Sequence, residues 1–399
     1  MNKLLISALI MLVSLGAFAQ EKAKEEKQEG YVFTDTKIIP HTSVKSQYRS
    51  GTCWSFSAIS FIEAELMRTG QGDVDLSEMI AVHHTYYDKS IQYVRMHGNI
   101  NYGAGAGFGD VFHVIKKYGM TTEEAYNGLN YGTENHIHGE MDAMLMAMVQ
   151  SVIKDKNRML TPVWPKAIEA TINTYLGPIP EDFEYKGAKY TPRSFADDFM
   201  KYNSDDYVFL TSYSHHPFYE EFAIEVPDNW NADLSYNLPL NELLEVIDNA
   251  IANDMTVAWA ADVSEKGFNW KNGYAIVPET DVKNLSDLEQ SKWENKTEKE
   301  IKKGILSSDG PVTEKKITQE VRQLAYDNYQ TTDDHGMHIV GIAKDQNGNL
   351  YYKVKNSWGT DQKYDGYFYA SKAFVEYKTM DIVIHKDALP KSIRKKLGL

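Results

Sequence analysis

The chain has 399 residues, 42 % hydrophobic and 25 % charged, the balance of a soluble globular protein with a sizeable core. Its 56 acidic residues against 42 basic ones give a net charge of −14, which argues against nucleic acid or anionic lipid as partners, because both need a basic face. The single cysteine, Cys53, rules out an internal disulfide, so stability must come from packing or assembly.

Residues 1–19 read as a signal peptide. Lys3 supplies the positive start, Leu4 to Phe18 forms an apolar stretch of about 15 residues, and Ala17-Phe18-Ala19 fits small-x-small cleavage. The mature chain is therefore expected to begin at Gln20, to be secreted or periplasmic, and to have no membrane association after cleavage. Residues 20–30 are rich in Glu and Lys and read as a mobile leader. Folded sequence starts near Tyr31.

Apolar spacing predicts a helix from Trp54 to Met67 buried on most faces. A second starts after Ser77 as cap, and a third runs from Asp110 to Tyr118 and closes at Gly119. The helical part thus spans about 40–125. From about 126 to 239 the pattern is mixed, with a Met-rich helix over Met141–Ile153, Pro-punctuated loops and a short strand at Tyr207–Leu210. A helix is predicted over Leu240–Ala252. Strands follow at Thr256–Ala261, His338–Ala343, Tyr351–Asn356, Tyr367–Ser371 and Asp381–Ile384, so 240–390 is β-rich. Asp287–Lys303 is charged and reads as exposed. The end of the chain, Lys391–Leu399, is basic and reads as a solvated tail on charge pattern alone.

Cys53 opens a predicted helix, where the positive end of the helix dipole favours thiolate, the nucleophilic form. Cysteine attack on an amide also needs an imidazole, a group that orients it, and donors for the oxyanion. His338 opens an apolar strand that would hold its ring rigidly and is the preferred imidazole. His335, three residues earlier in a polar stretch, is the weaker candidate. Asn356, in Asn356-Ser357-Trp358-Gly359, is the candidate orienter, with Trp358 placed to shield the bond. Gln47, six residues before Cys53, is a candidate oxyanion donor together with the Cys53 backbone N–H.

These motifs, Gln47-x5-Cys53-Trp54-x-Phe56, a His opening a strand, and Asn356-Ser357-Trp358-Gly359, resemble the papain-like cysteine peptidases. The chain departs from the usual signature in two ways. From Cys53 to His338 is 285 residues, against roughly 130–150 in that signature, and Ser50 stands where it has a disulfide-forming cysteine. Both features resemble the bleomycin hydrolase and aminopeptidase C branch, as do Leu76-Ser77-Glu78, Ile115-Lys116-Lys117-Tyr118-Gly119 and Trp259-Ala260-Ala261-Asp262-Val263.

The resemblance implies an α+β papain-like fold over 31–399. A helical N-terminal subdomain would pack on a β-barrel-like C-terminal subdomain, with a large central insertion at about 126–239. It implies Cys53, His338, Asn356 and Gln47 as the catalytic set. Gly105-Ala106 would form the wall beside the substrate backbone, in a Gly-rich run that fails phosphate-loop spacing and is equally a flexible turn. A C-terminal arm, 385–399, would bring the Leu399 carboxylate to the substrate amino group, although it is more basic here than such arms usually are. Homohexamers are typical of the branch.

The expected activity is thiol-dependent peptide hydrolysis, most simply as an aminopeptidase. The alternatives are an endopeptidase with an open cleft and a non-catalytic peptide-binding protein. No cofactor is expected. His83-His84, His136-x-His138-x-Glu140 and His215-His216 lack a companion ligand group, so no metal is expected either.

Overall fold

The computed structural model describes residues 30–154, 159–280, 297, 300, 304 and 310–399. The expected signal segment, the leader through residue 29 and most of the charged stretch 287–303 lie outside the described residues.

After strand β1 (Phe33–Ile38), the helical layer is built from α1 (Cys53–Arg68), α2 (Glu78–Arg95), α3 (Phe108–Tyr118), α4 (Gly139–Ile153) and α5 (Trp164–Leu176). Helix α1 is its axis. Every residue from Trp54 to Leu66 is buried. Buried serines on this helix find partners for their hydroxyls, as Ser55 Oγ does by donating to Glu78 O at 2.8 Å. The Ser77 side chain accepts from the Ile80 N–H and starts α2 as the sequence predicts.

The remaining strands are β2 (Phe183–Tyr185), β3 (Ala188–Tyr190), β4 (Tyr207–Thr211), β5 (Glu221–Ala223), β6 (Leu234–Asn237), β7 (Val257–Ala261), β8 (Phe268–Asn269), β9 (Tyr274–Ala275), β10 (His335–Asp345), β11 (Leu350–Lys355), β12 (Tyr367–Ser371) and β13 (Thr379–His385). β2 and β3 form a separate hairpin. The others make one mixed sheet in the order β5-β6-β4-β13-β7-β10-β11-β12-β9-β8. One edge of β10 pairs with β7 over His335–Ile339 and then with β1 over Gly341–Asp345. The barrel-like subdomain expected from the resemblance is thus an open sheet: among the described residues its end strands β5 and β8 do not pair with each other.

One face of the sheet packs on the helical layer, through Ala258 and Val383 among others. The other carries a second core made with the helix Leu240–Ala252, which includes Trp259, Met337 and Phe374. Region 126–239 divides between these two cores. Met141, Leu145 and Ile172 of α4 and α5 join the helical core, while β4, β5 and β6 extend the sheet.

Candidate active site

Cys53 is the first residue of α1 and keeps partial exposure. Gly336 of β10 lies directly beneath this helix start. A Cβ there would come 2.7 Å from Ser57 Oγ, closer than real contacts allow, and a tight 3.2 Å from Trp54 Cα. The missing side chain therefore lets the helix end approach the strand and brings Cys53 and His335 onto one cavity.

Strand alternation decides which histidine meets Asn356. His338 pairs across the ladder with Lys355, and both point towards α1: His338 Nδ1 is 2.9 Å from Ser60 Oγ, and Lys355 Nζ is 2.7 Å from that hydroxyl. Asn356, one residue on, turns to the opposite face. So does His335, because three positions along a strand is an odd number. The result is a 2.7 Å hydrogen bond from His335 Nε2 to Asn356 Oδ1. The expectation that His338 is the imidazole partner of Asn356 is corrected here. His338 is fully buried, its Nε2 has no partner among the described residues, and it does not line the cavity that holds Cys53.

Asn356 Oδ1 also accepts the Ser357 N–H at 2.8 Å, which fixes the amide. The Trp358 ring lies 4.6 Å from the His335 ring, centroid to centroid, and covers it from solvent. Trp358 does not itself line the cavity.

The Gln47 segment is zipped onto the Asn356 segment, with Gln47 N–H donating to Ser357 O at 2.8 Å. Ser357 Oγ donates to Gln47 Oε1 at 2.6 Å, which fixes the amide with Nε2 as its remaining donor, and Gln47 does not line the cavity. Ser50, in the place of the signature's cysteine, closes the same loop with a 2.8 Å hydrogen bond to Gln47 O.

Burial pushes the Cys53 thiol up, to about 11, with the Gly336 and Trp54 backbone amides pulling it the other way. Burial pushes the His335 imidazole down, to about 4, opposed by its bond to Asn356. Between these values the pair carries one mobile proton. His335 Nε2 is committed to Asn356, so Nδ1 is the nitrogen left for Sγ.

The Gly-rich run forms another wall, where Gly105 and Ala106 line the cavity. These glycines permit close packing of acids. A Cβ on Gly105 would strike the Asp228 carboxylate at 2.1 Å, and one on Gly109 would strike Asp233 at 2.2 Å. Asp110 ties the run to that acidic loop by accepting the Gly107 N–H at 3.0 Å and the Trp230 indole N–H at 3.2 Å. Sequence reasoning missed this acidic lining, and its one local signal was Asp333-Asp334 ahead of the strand.

Leu399 is not in the cleft. The last residues fold as a helix, Lys391–Leu397, that buries Ile393 and Leu397 in the outer core. Lys396 Nζ reaches Glu242 at 2.6 Å, and the Leu399 N–H bonds back to Arg394 O at 3.1 Å. The arm expected to enter the site is docked elsewhere, because its apolar stripe has a core to join.

Among the described residues, His215, His216 and Glu225 form the one cluster with metal-ligand spacing. Gln323 Nε2 donates to His215 Nδ1, which places the ring proton on Nε2 facing Glu225. Glu225 is thus a companion carboxylate that sequence reasoning did not find for His215-His216.

A family model described as "Peptidase C1-like family" matches residues 179–309 and 313–398, more than half of the chain. The chain belongs to the peptidase C1-like family. Residues 34–207 match a second model, "Papain family cysteine protease". Similar proteins are aminopeptidase C of Listeria innocua, 23 % identical over 88 % of this chain and 82 % of the relative, and aminopeptidase G of Lactobacillus delbrueckii subsp. lactis, 22 % identical over 88 % and 83 %. The mitochondrial cysteine proteinase 1 of Saccharomyces cerevisiae is 20 % identical over 94 % and 81 %. The fold resembles the crystal structure of PepW from Lactobacillus rhamnosis, with TM-score 0.65 and 17 % identity over 92 % of this chain and 84 % of the other. This family member is a cysteine peptidase of the aminopeptidase C type.

Proposed function

We propose that the chain hydrolyses peptide bonds with Cys53 as nucleophile and His335 as general acid and base, and that it removes residues from peptide N-termini. The observation that carries the chemistry is the single cavity shared by Cys53 and His335, with His335 held by Asn356 at 2.7 Å.

The Sγ proton passes to His335 Nδ1 as sulfur attacks the carbonyl carbon. The oxyanion takes hydrogen bonds from the Cys53 N–H and Gln47 Nε2. The C–N bond then breaks, the leaving amine takes the proton from Nδ1, and an acyl-enzyme remains. Water enters, loses a proton to the same nitrogen and attacks the thioester, and sulfur leaves as the proton returns to it. Asn356 is a positioning residue throughout.

Removal of N-terminal residues is supported by the relatives named aminopeptidase C and aminopeptidase G. A second reading, endopeptidase, is favoured by one observation: Leu399 is 46 % exposed and its helix is docked outside the cleft. Matched fluorogenic peptides with a free or an acetylated N-terminus separate the two. Cleavage confined to the free amine supports the aminopeptidase, cleavage of the acetylated peptide supports the endopeptidase, and hydrolysis unchanged in Cys53→Ala would sink both. Export through the Lys3–Ala19 segment, and assembly of several copies, belong to the same proposal.

A further inference from the structure

After β4 the chain turns through His215 and His216, returns as β5 and reaches Glu225. A fully buried side chain, Asn237, holds that turn. Its Nδ2 lies 2.7 Å from Tyr213 O, 3.0 Å from His216 O and 3.1 Å from Pro217 O, and its Oδ1 accepts the Tyr213 N–H at 2.9 Å. Stacking fixes the two rings. His216 lies on Phe222 with 4.2 Å between centroids, and His215 on Tyr326 with 5.5 Å. The Tyr326 hydroxyl donates to the Glu225 carbonyl at 2.9 Å and so holds the third member of the group.

Held in this way, the imidazoles converge on one carboxylate. His215 Nε2 is 3.0 Å from Glu225 Oε2, and His216 Nε2 is 2.8 Å from Glu225 Oε1. Ligand atoms bound to a tetrahedral zinc stand roughly 3.3 Å apart, so a slight opening of the carboxylate admits an ion. The three side chains are partly open to solvent, which gives the ion a way in and lets water complete its coordination. Two imidazoles with one carboxylate suit zinc and its neighbours, whereas magnesium and calcium take oxygen ligands. Gln323 supplies the outer contact. Its Nε2 donates to His215 Nδ1 at 3.0 Å, and its Oε1 accepts the Ser214 N–H at 2.6 Å. On loading, the His215 ring proton moves from Nε2 to Nδ1, and the Gln323 amide turns over to accept it at the cost of the Ser214 contact.

We propose that His215, His216 and Glu225 bind one divalent transition ion of the zinc class. Glu225 stands between Ile224 and Val226, which both line the cavity beside Cys53, while the three ligands do not. The ion therefore braces that wall from outside the cleft, and the site is independent of the peptidase reading.

The test uses the tag-free full chain carrying Cys53→Ala, so that the thiol cannot take the metal. It is stripped with chelator, given zinc and gel-filtered in metal-free buffer. One zinc per chain is expected by elemental analysis, with a thermal midpoint raised by zinc and unmoved by magnesium. His216→Ala and Glu225→Gln should each weaken binding by about 100-fold or more, since losing a ligand costs at least as much as losing an outer-shell partner. No zinc retained, an affinity unchanged in both variants, or a midpoint that zinc leaves in place overturns the proposal. Cobalt(II) added to the wild-type chain gives a readout that needs no variant to fold. A four-coordinate ligand-field band without thiolate-to-cobalt charge transfer supports the cluster, and a spectrum dominated by thiolate charge transfer overturns it. Neither readout involves peptide hydrolysis, so failure here leaves the peptidase reading standing.

Discussion

His335 Nε2 lies 2.7 Å from Asn356 Oδ1, while His338, on the opposite face of the same strand, lies 2.9 Å from Ser60 Oγ under α1. The two histidines therefore have separable roles. His335→Ala is expected to lower kcat by about 10³-fold or more, as loss of an acid–base imidazole does. His338→Ala removes a buried ring and leaves Ser60 short of a partner, which costs about 2–4 kcal/mol of stability. Its effect is read in denaturant midpoints, while the pH limbs of its residual activity stay where they are in the parent. Equal losses of kcat in both variants would contradict this division.

The pH profile of kcat/KM for a neutral substrate should be bell-shaped and broad. Below about 4 His335 is protonated alongside the thiol and no base remains. Above about 11 Cys53 is ionised alongside a neutral imidazole and no acid remains. The limbs belong to the pair as a unit.

Gly336→Ala tests how the nucleophile is placed. Its Cβ would press on Ser57 Oγ and on the Trp54 backbone, so α1 must shift away from β10. A displacement near 1 Å at a reacting group costs on the order of 10²-fold in rate. The loss should fall on kcat, with KM little changed, in steady-state assays of the folded variant.

Truncation before Lys391 removes two buried apolar anchors, Ile393 and Leu397, and the Lys396–Glu242 ion pair. Burial of two such side chains contributes about 3–6 kcal/mol. Thermal unfolding should drop accordingly, while the ratio of free to acetylated substrate cleavage stays constant because Leu399 is outside the cleft. A changed ratio would mean that the arm reaches the site.

If the Lys3–Ala19 segment directs export, intact-mass measurement of the protein recovered outside the cytoplasm should find a chain starting at Gln20. A chain retained whole in the cytoplasm would contradict it.

Much of this was legible in the residues. The helix predicted over Leu240–Ala252 and the strand over Tyr367–Ser371 match the observed bounds, because local periodicity and flanking Pro and Ser signals suffice there. That Cys53 stands at the start of a helix was also readable, because helix starts are local properties of the chain. The choice between His335 and His338 was not. It turns on where the ladder of β10 begins and on the odd offset that puts Asn356 on the face of His335, and register exists only between strands. The docking of Lys391–Leu397 and the meeting of Asp333 with Asp381 were hidden for the same reason. A basic tail and scattered acids look solvated in sequence, and only tertiary packing gives Ile393 a core to enter and places two carboxylates, 48 residues apart, on one cavity wall.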